Sequence, residues 1–396
     1  MKFAVSNKMA GMKPSAVREI LKLTADPAFI PFSAGNPSTE AFPEEQIKAF
    51  TEEILTENPI AALQYSVSEG YPPLREVLRD FCDKRYHVVT DQDEVLIMSG
   101  AQQGIELTCK CLCNEGDVVV CEEPSFVGAL NSFRSCGAKL AGVPMDEDGI
   151  NTDKLEQVLK TTPNAKLLYL IPNFQNPSGI TMSLEKRKAV LALAKKYDVV
   201  ILEDNPYGDL RFTGEPVPAI KSLDTEGRVI YCGSFSKVLS PGLRVGYLVC
   251  HKDIASKIVI GKQCSDVHTA ILNQMICHKF LTEMDYDQHI ARLQGIYRER
   301  AQLMLRLCDE YFPQDVTHTV PEGGLFVWVT LPNDMDCMEL VLAAKDRMVA
   351  VVPGNSFLCD DTRKCSSVRM NYSTPSKQRI EEGMKILGEV LHDIVK

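Results

Sequence analysis

Four short segments of this 396-residue chain carry side chains suited to chemistry, and each follows an apolar run. Gly100-Ala101-Gln102-Gln103-Gly104 comes after the run 95–98 (VLIM). Small residues opening a helix let backbone N–H groups approach an anion held at the helix's positive end. An ordinary strand-to-helix turn has the same composition, so this segment does not decide anything alone. Pro172-Asn173-Phe174-Gln175-Asn176-Pro177-Ser178-Gly179 follows 167–171 (LLYLI) and presents side-chain amides on a turn fixed by Pro177 and Gly179. Asn176, next to the proline, is the better ligand donor, whereas Asn173 reads equally well as loop structure.

Glu203-Asp204-Asn205-Pro206-Tyr207 follows 199–202 (VVIL). A carboxylate at the end of a buried strand is costly without a cationic or protonated partner. Something positive is therefore expected beside Asp204, either an arginine or a protonated pyridine nitrogen. Gly233-Ser234-Phe235-Ser236-Lys237 follows 229–232 (VIYC), with Arg244 a few residues on. Most lysines are solvated surface charges. One at a strand end among small residues and hydroxyls is instead desolvated toward its neutral form and can act as an amine nucleophile. Taken in order, an anion cradle, an amide donor, a strand-end acid and a strand-end amine suit the phosphate, phenolate oxygen, ring nitrogen and aldehyde of pyridoxal phosphate.

At these residues the chain resembles the fold type I pyridoxal-phosphate enzymes, and within them the class I aminotransferases. The branch is the one that includes 2-aminoadipate, kynurenine and aromatic aminotransferases and the aminotransferase-like half of MocR regulators. The similarity runs from Arg18-Glu19-Ile20-Leu21-Lys22 to Val368-Arg369-Met370, and its most specific motifs are Asp-x-x-Tyr and Ser-x-Ser-Lys…Gly-x-Arg-x-Gly. The resemblance implies that Lys237 carries the cofactor as a Schiff base and serves as general base, in a ping-pong transfer between an L-amino acid and a 2-oxo acid, 2-oxoglutarate being the expected one. It implies that Asp204 pairs with the ring nitrogen, and that Asn176 and Tyr207 hydrogen-bond the ring oxygen. Ser234, Ser236, Arg244 and the backbone at Gly100, Ala101 and Gln102 would hold the phosphate.

Phe126 falls where the family usually stacks a tyrosine on the ring, and stacking needs only the aromatic face. Ala101 replaces a serine common at its position, which removes one hydroxyl contact. Arg369 matches the arginine that grips the substrate carboxylate, a task suited to its planar fork. Gly35 and Asn36 fall in the segment that closes over the substrate. Arg18 matches a position that in some relatives approaches an acidic substrate side chain. Tyr65 matches a tyrosine that reaches the phosphate of a neighbouring subunit, which implies a homodimer with shared sites.

The elements that must position these residues are short apolar strands (95–98, 118–121, 138–143, 167–171, 199–202, 229–232, 245–249) alternating with helical patterns. That alternation predicts an α/β fold, a mostly parallel seven-stranded sheet covered on both faces. Ligands in such a sheet gather beyond the carboxyl ends of the strands. Ser183 reads as the N-cap of a helix to Lys196. A long helical stretch over 253–308, strands at 325–330 and 366–370, and a closing helix after Pro375 suggest a smaller α+β domain. The expected division is 1–45 as N-terminal arm and part of the small domain, 46–290 as the large domain, and 291–396 as the rest of the small domain.

The net charge of −10 and the absence of a run of consecutive basic residues argue against nucleic acid as a partner. No charge-free apolar stretch approaches the roughly 20 residues that span a bilayer, and the N-terminal residues lack an apolar leader, so a cytoplasmic enzyme is expected. Fourteen cysteines lie in apolar segments of a chain too long to need staples, which favours reduced thiols. Without C-x-x-C or H-x-x-x-H, no metal site is expected. Ser234-Phe235-Ser236-Lys237 also fits the S-x-x-K of penicillin-binding hydrolases, but their S-D-N and K-T-G partners do not occur. A pyridoxal-phosphate regulatory module is less expected, since the similarity begins by about residue 13 and leaves no room for a DNA-binding domain. The nearest alternative is a C–S lyase or another eliminating enzyme of the same fold, which uses the same lysine, aspartate and arginine.

Overall fold

The computed structural model describes residues 3–10, 12 and 26–395. Its main sheet contains β1 (Asp93–Met98), β2 (Val118–Glu123), β3 (Lys139–Asp146), β4 (Gly149–Ile150), β5 (Ala165–Leu170), β6 (Val200–Asp204), β7 (Val229–Ser234) and β8 (Gly246–His251). Their spatial order is β1-β8-β7-β6-β5-β2-β3-β4. The pairs β2–β3, β2–β5, β5–β6 and β6–β7 are parallel, while β8 runs antiparallel to both β7 and β1. The seven expected strands are all present. The eighth, β4, has two residues and folds back on β3 through the turn at Glu147 and Asp148. A strand that short leaves no periodic pattern to read.

The central strands are continuous apolar runs because helices cover both faces. Leu167, Leu168, Tyr169 and Leu170 of β5 and Ile201 and Leu202 of β6 are fully buried. The covering helices are Ala101–Leu112, Val127–Ser135, Thr152–Thr161, Leu184–Lys196 and Lys252–Gln263. The Ser183 hydroxyl accepts a 3.4 Å bond from the Lys186 N–H, as its sequence position suggests, and Val190, Leu191 and Ala194 form the buried stripe of that helix.

The helical stretch after β8 is three helices rather than one. Lys252–Gln263 ends at a tight segment in which Val267 has a left-handed φ of 66°, Ile271–Glu283 follows, and Asp285 caps Tyr286–Tyr311 by accepting from the Gln288 N–H at 2.9 Å. The last of these helices runs through the expected boundary at 290/291.

A second sheet is wholly antiparallel, in the order β11 (Val352–Pro353), β12 (Ser367–Asn371), β10 (Phe326–Thr330), β9 (Thr317–His318). Helix Cys337–Asp346 packs against β11 and β12, and Lys377–Ile394 packs against that helix and against Tyr286–Tyr311. The segment around Ile30–Phe32 is stitched to this unit by a bridge from Ile30 to Val349 and by the Asn371 N–H donating to the Phe32 carbonyl at 2.8 Å. This brings Ser33–Asn36 in front of the main sheet. β1, β2, β5, β6 and β7 all end at that same edge, and the chemistry-bearing segments lie there.

Candidate active site

A cavity of about 290 Å³ opens at the carboxyl ends of these strands, between the two sheets. Among the residues lining it are Gly35, Asn36, Ala101, Gln102, Phe126, Asn176, Asp204, Tyr207, Ser234, Ser236, Lys237, Arg244 and Arg369. Gly100 adjoins it as the N-cap of the helix Ala101–Leu112.

The corner where Gly100, Arg244 and Gly246 meet is built by close backbone approach. Gly100 has φ of +79°, and a Cβ there would lie 2.3 Å from Arg244 Nη2. A Cβ on Gly246 would lie 2.6 Å from the Ala101 nitrogen. Only glycine at both positions lets β8, the guanidinium and the helix N-terminus converge. Arg244 is held loosely, by the carbonyls of Pro241 at 3.3 Å and Ser99 at 3.4 Å, and no carboxylate pairs with it among the described residues. The Ser234 hydroxyl accepts from the Ser236 N–H at 3.1 Å, which closes the loop ahead of Lys237. The Gln102 side chain turns away and donates to the Gly128 carbonyl and the Ser132 hydroxyl, so only its backbone faces the corner.

On the opposite wall, Asn176 is shared. Its Nδ2 donates to the Tyr207 hydroxyl at 3.4 Å, and its Oδ1 accepts from Arg369 Nη1 at 3.0 Å. Arg369 Nη2 donates to the carbonyls of Ser33 at 2.9 Å and Ala34 at 3.4 Å, while its Nε has no partner. The guanidinium lies 4.3 Å from the Phe326 ring centroid and 5.2 Å from that of Phe357. It is buried with no carboxylate beside it among the described residues, and burial lowers its pKa to about 10. A buried cation left so is poised for an anionic ligand.

Asp204 ends β6 at 2% exposure. Its Oδ2 accepts from the Tyr169 hydroxyl at 2.7 Å, and its Oδ1 is buried without a partner. Burial raises its pKa to about 7, opposed by the Tyr169 bond. Lys237 is half-buried and donates to the Gly35 carbonyl at 2.9 Å. Burial, then the positive charges of Arg369 and Arg244, lower its pKa to about 8. Burial also pushes the Tyr207 hydroxyl up. These shifts share one physical cause, a dry cavity that penalises every charge in it. Phe126 stands at the mouth as N-cap of the helix Val127–Ser135, and Gly128 makes room, since a Cβ there would lie 2.5 Å from the Phe126 ring.

The cavity therefore holds an unpartnered carboxylate oxygen suited to a protonated ring nitrogen, an amide and a phenol suited to a ring oxygen, a depressed amine, and a glycine-lined anion corner. These residues fit pyridoxal phosphate. Residues 27–387 match the family model described as aminotransferase class I and II. The chain belongs to the class I and II aminotransferases.

The aminotransferase is 39% identical over 395 residues to aromatic-amino-acid aminotransferase 1 of Thermococcus litoralis, covering 99% of this chain and 94% of that one. It is also 39% identical over 387 residues to the 2-aminoadipate transaminase of Thermus thermophilus, covering 97% and 95%. A Pyrococcus horikoshii kynurenine aminotransferase, solved with PMP, superposes with a TM-score of 0.95 at 37% identity over 99% of this chain and 98% of that one. The protein is a pyridoxal-phosphate-dependent transaminase, and the reading as an eliminating enzyme is not favoured.

Tyr65, which the resemblance directs to the phosphate of a neighbouring subunit, does not line this chain's own cavity. Tyr65 is 81% exposed, its ring set edge-on to His268 at 5.7 Å. Arg18 lies outside the described residues. Four contributors escape a reading of the sequence. Phe326 under Arg369 sits in the apolar run LFVWVT, Tyr169 in LLYLI, and the carbonyls of Ser33 and Ala34 carry no side-chain signal at all. Within an apolar strand, nothing local separates a core aromatic from one that touches a site.

Proposed function

We propose that this aminotransferase transfers the amino group of an L-amino acid to a 2-oxo acid, 2-oxoglutarate being the expected acceptor, with Lys237 as both covalent anchor of the cofactor and carrier of the transferred proton. The single observation that carries the assignment is the setting of Lys237, an ammonium at a strand end with no carboxylate partner among the described residues, depressed toward neutrality by a dry cavity and flanked by two other cations. When bound, the cofactor supplies an aldehyde for the substrate's amino group and a protonated ring that draws electron density from Cα.

The protein's own groups do the rest. Arg369 fixes the substrate carboxylate with its free Nε and its forked Nη atoms, orienting the Cα–H bond. Lys237 Nζ removes the Cα proton and holds it for return. Asp204 Oδ1 would keep a proton on the ring nitrogen, since a neighbouring carboxylate favours the charged form. Asn176 and Tyr207 would donate to the ring oxygen, Phe126 would cover one ring face, and Arg244, Ser234, Ser236 and the N–H groups after Gly100 would hold the phosphate. Gly35 and Asn36 cover the substrate and exclude water. Support for these roles is the convergence of the side chains on one cavity.

We also propose a cytoplasmic homodimer. Ile60, Leu63, Tyr65, Val67 and Val267 are exposed apolar or aromatic side chains, with Tyr65 against His268 and Val267 next to that histidine in sequence, and such side chains suit burial against a second copy. All fourteen cysteines are free thiols, which suits a reducing compartment.

The test is a panel of donors (glutamate, 2-aminoadipate, leucine, phenylalanine, kynurenine, alanine) with 2-oxoglutarate, on wild type and Arg18→Ala. The expected result is acceptor-dependent amino transfer without ammonia release. Ammonia formed without any 2-oxo acid would contradict it. A selective loss of glutamate and 2-aminoadipate in the variant would assign Arg18 to an acidic side chain.

A further inference from the structure

One buried polar side chain touches this site without a part in the chemistry above. Tyr169 lies on β5, directly across from Leu202 of β6. Leu202 and Asp204 share a face of their strand because side chains alternate, so Tyr169 points to the same side as Asp204, one pleat further back. A tyrosine spans that diagonal where an aliphatic residue does not. Its hydroxyl donates to Asp204 Oδ2 at 2.7 Å, and its ring is fully buried and braced edge-on by Phe133 at 5.4 Å.

We propose that Tyr169 is a positioning residue for amino transfer, fixing the Asp204 carboxylate so that Oδ1, its unpartnered oxygen, faces the cofactor's ring nitrogen. The inference rests on the reading of Asp204 as that nitrogen's partner. The terminal torsion of an aspartate is broad and two-fold, so a carboxylate with neither oxygen held samples many orientations. With Oδ2 pinned, the other oxygen has one direction left. The bond also decides where a proton rests. A hydrogen bond to the ionised form makes the carboxylate less basic, which leaves the proton on the ring nitrogen and keeps the electron sink strong.

The neighbouring groups do not take over this task. Glu122, at the end of β2, turns Oε2 to the Ile171 N–H at 3.0 Å and the Gln175 amide at 3.5 Å, and its Oε1 is unpartnered, so neither oxygen bonds Asp204. The Cys232 thiol of β7 contacts the Ala101 carbonyl at 3.8 Å. Burial and the charge of Asp204 hold the Tyr169 hydroxyl well above its ordinary range, so it remains a donor and does not itself titrate during turnover.

The experiment loads wild type, Tyr169→Phe and Asp204→Ala with ring-¹⁵N pyridoxal phosphate and records the nitrogen resonance together with steady-state kinetics. In Tyr169→Phe the resonance is expected to move toward the unprotonated position, with kcat falling about 5- to 30-fold and KM little changed, the scale of losing a hydrogen bond to a charged group. A resonance that stays at the wild-type position in Tyr169→Phe while Asp204→Ala displaces it overturns the role of Tyr169 and leaves the reading of Asp204 intact. If Asp204→Ala does not displace it either, the reading of Asp204 itself fails.

A second measurement does not depend on the Phe variant folding. 3-Fluorotyrosine introduced at position 169 gives a ¹⁹F signal that is expected to shift on loading the cofactor in an otherwise wild-type chain, and not in an Asp204→Ala background. An equal shift in both backgrounds overturns the proposal.

Discussion

Glu203 and Asp204 are consecutive, buried and acidic, yet they belong to different kinds of site. Alternation along β6 puts them on opposite faces of the sheet. Glu203 is closed, its two oxygens accepting from the Ile220 N–H at 2.9 Å and the Lys221 N–H at 2.8 Å. Asp204 is open, with Oδ1 unpartnered. The same contrast recurs among the cations. Lys221 pairs with Asp93 at 2.8 Å in a buried ion pair, whereas Lys237 has, among the described residues, only the Gly35 carbonyl. Arg187 spreads its guanidinium over the carbonyls of Met182, Val217, Pro218 and Pro172 and the amide of Asn173, whereas Arg369 keeps Nε free. Residue type and burial do not separate structural from functional charge in this protein. Unfilled hydrogen-bonding capacity separates these three pairs, and their open members line one cavity; Glu122 Oε1 and Arg228 Nε, also unpartnered, do not line it.

If that contrast is real, substitutions in the two sets should have opposite signatures. The largest effect is expected for Asp204→Ala, which should lower kcat by roughly 10²–10⁴-fold. A nearly unchanged rate would erase the distinction from Glu203. Arg369→Ala comes next, with kcat/KM reduced about 10²-fold or more, mainly through KM, because a desolvated partner for the substrate carboxylate is lost. A fall confined to kcat at unchanged KM would contradict its role in gripping the carboxylate.

The third prediction concerns stability. The folded-state pKa of Asp204, about 7, lies above its unfolded value of 3.8, so the folded chain binds that proton more tightly. The cost of ionising it in place is absent below about pH 4, grows as pH rises toward 7, and is constant above. Apo Asp204→Asn should therefore match apo wild type near pH 4 and exceed it by roughly 1–4 kcal/mol at pH 8, as read from denaturant midpoints. Equal stability at both pH values would show that the open carboxylate carries no cost.

The smallest effect belongs to the closed set. Glu203→Gln turns an amide N–H toward one of two backbone donors and should cost about 1–3 kcal/mol of stability while leaving kcat near wild type. A large loss of activity at unchanged stability would move Glu203 into the functional group.

Much of this was legible in the sequence. The alternation of apolar runs with helical patterns gives the sheet, and the residues after four of its strands are those that converge on the cavity. What the sequence does not carry is direction. Gln102 lines the cavity, but its amide faces Gly128 and Ser132, a matter of packing against the neighbouring helix. Tyr169 and Phe326 sit in strands whose apolar pattern hides which face meets the site. β4 is too short for periodicity, and the breaks between 252 and 311 depend on a left-handed residue and an Asp cap within otherwise continuous helical composition.

The most direct test of the central claim is to reduce the cofactor-loaded protein with borohydride and map the modified peptide by mass spectrometry. The cofactor's mass should appear on Lys237 alone, and Lys237→Ala should lose both the label and the visible absorbance. An active protein labelled at a different lysine, such as the closed Lys221, would contradict the account.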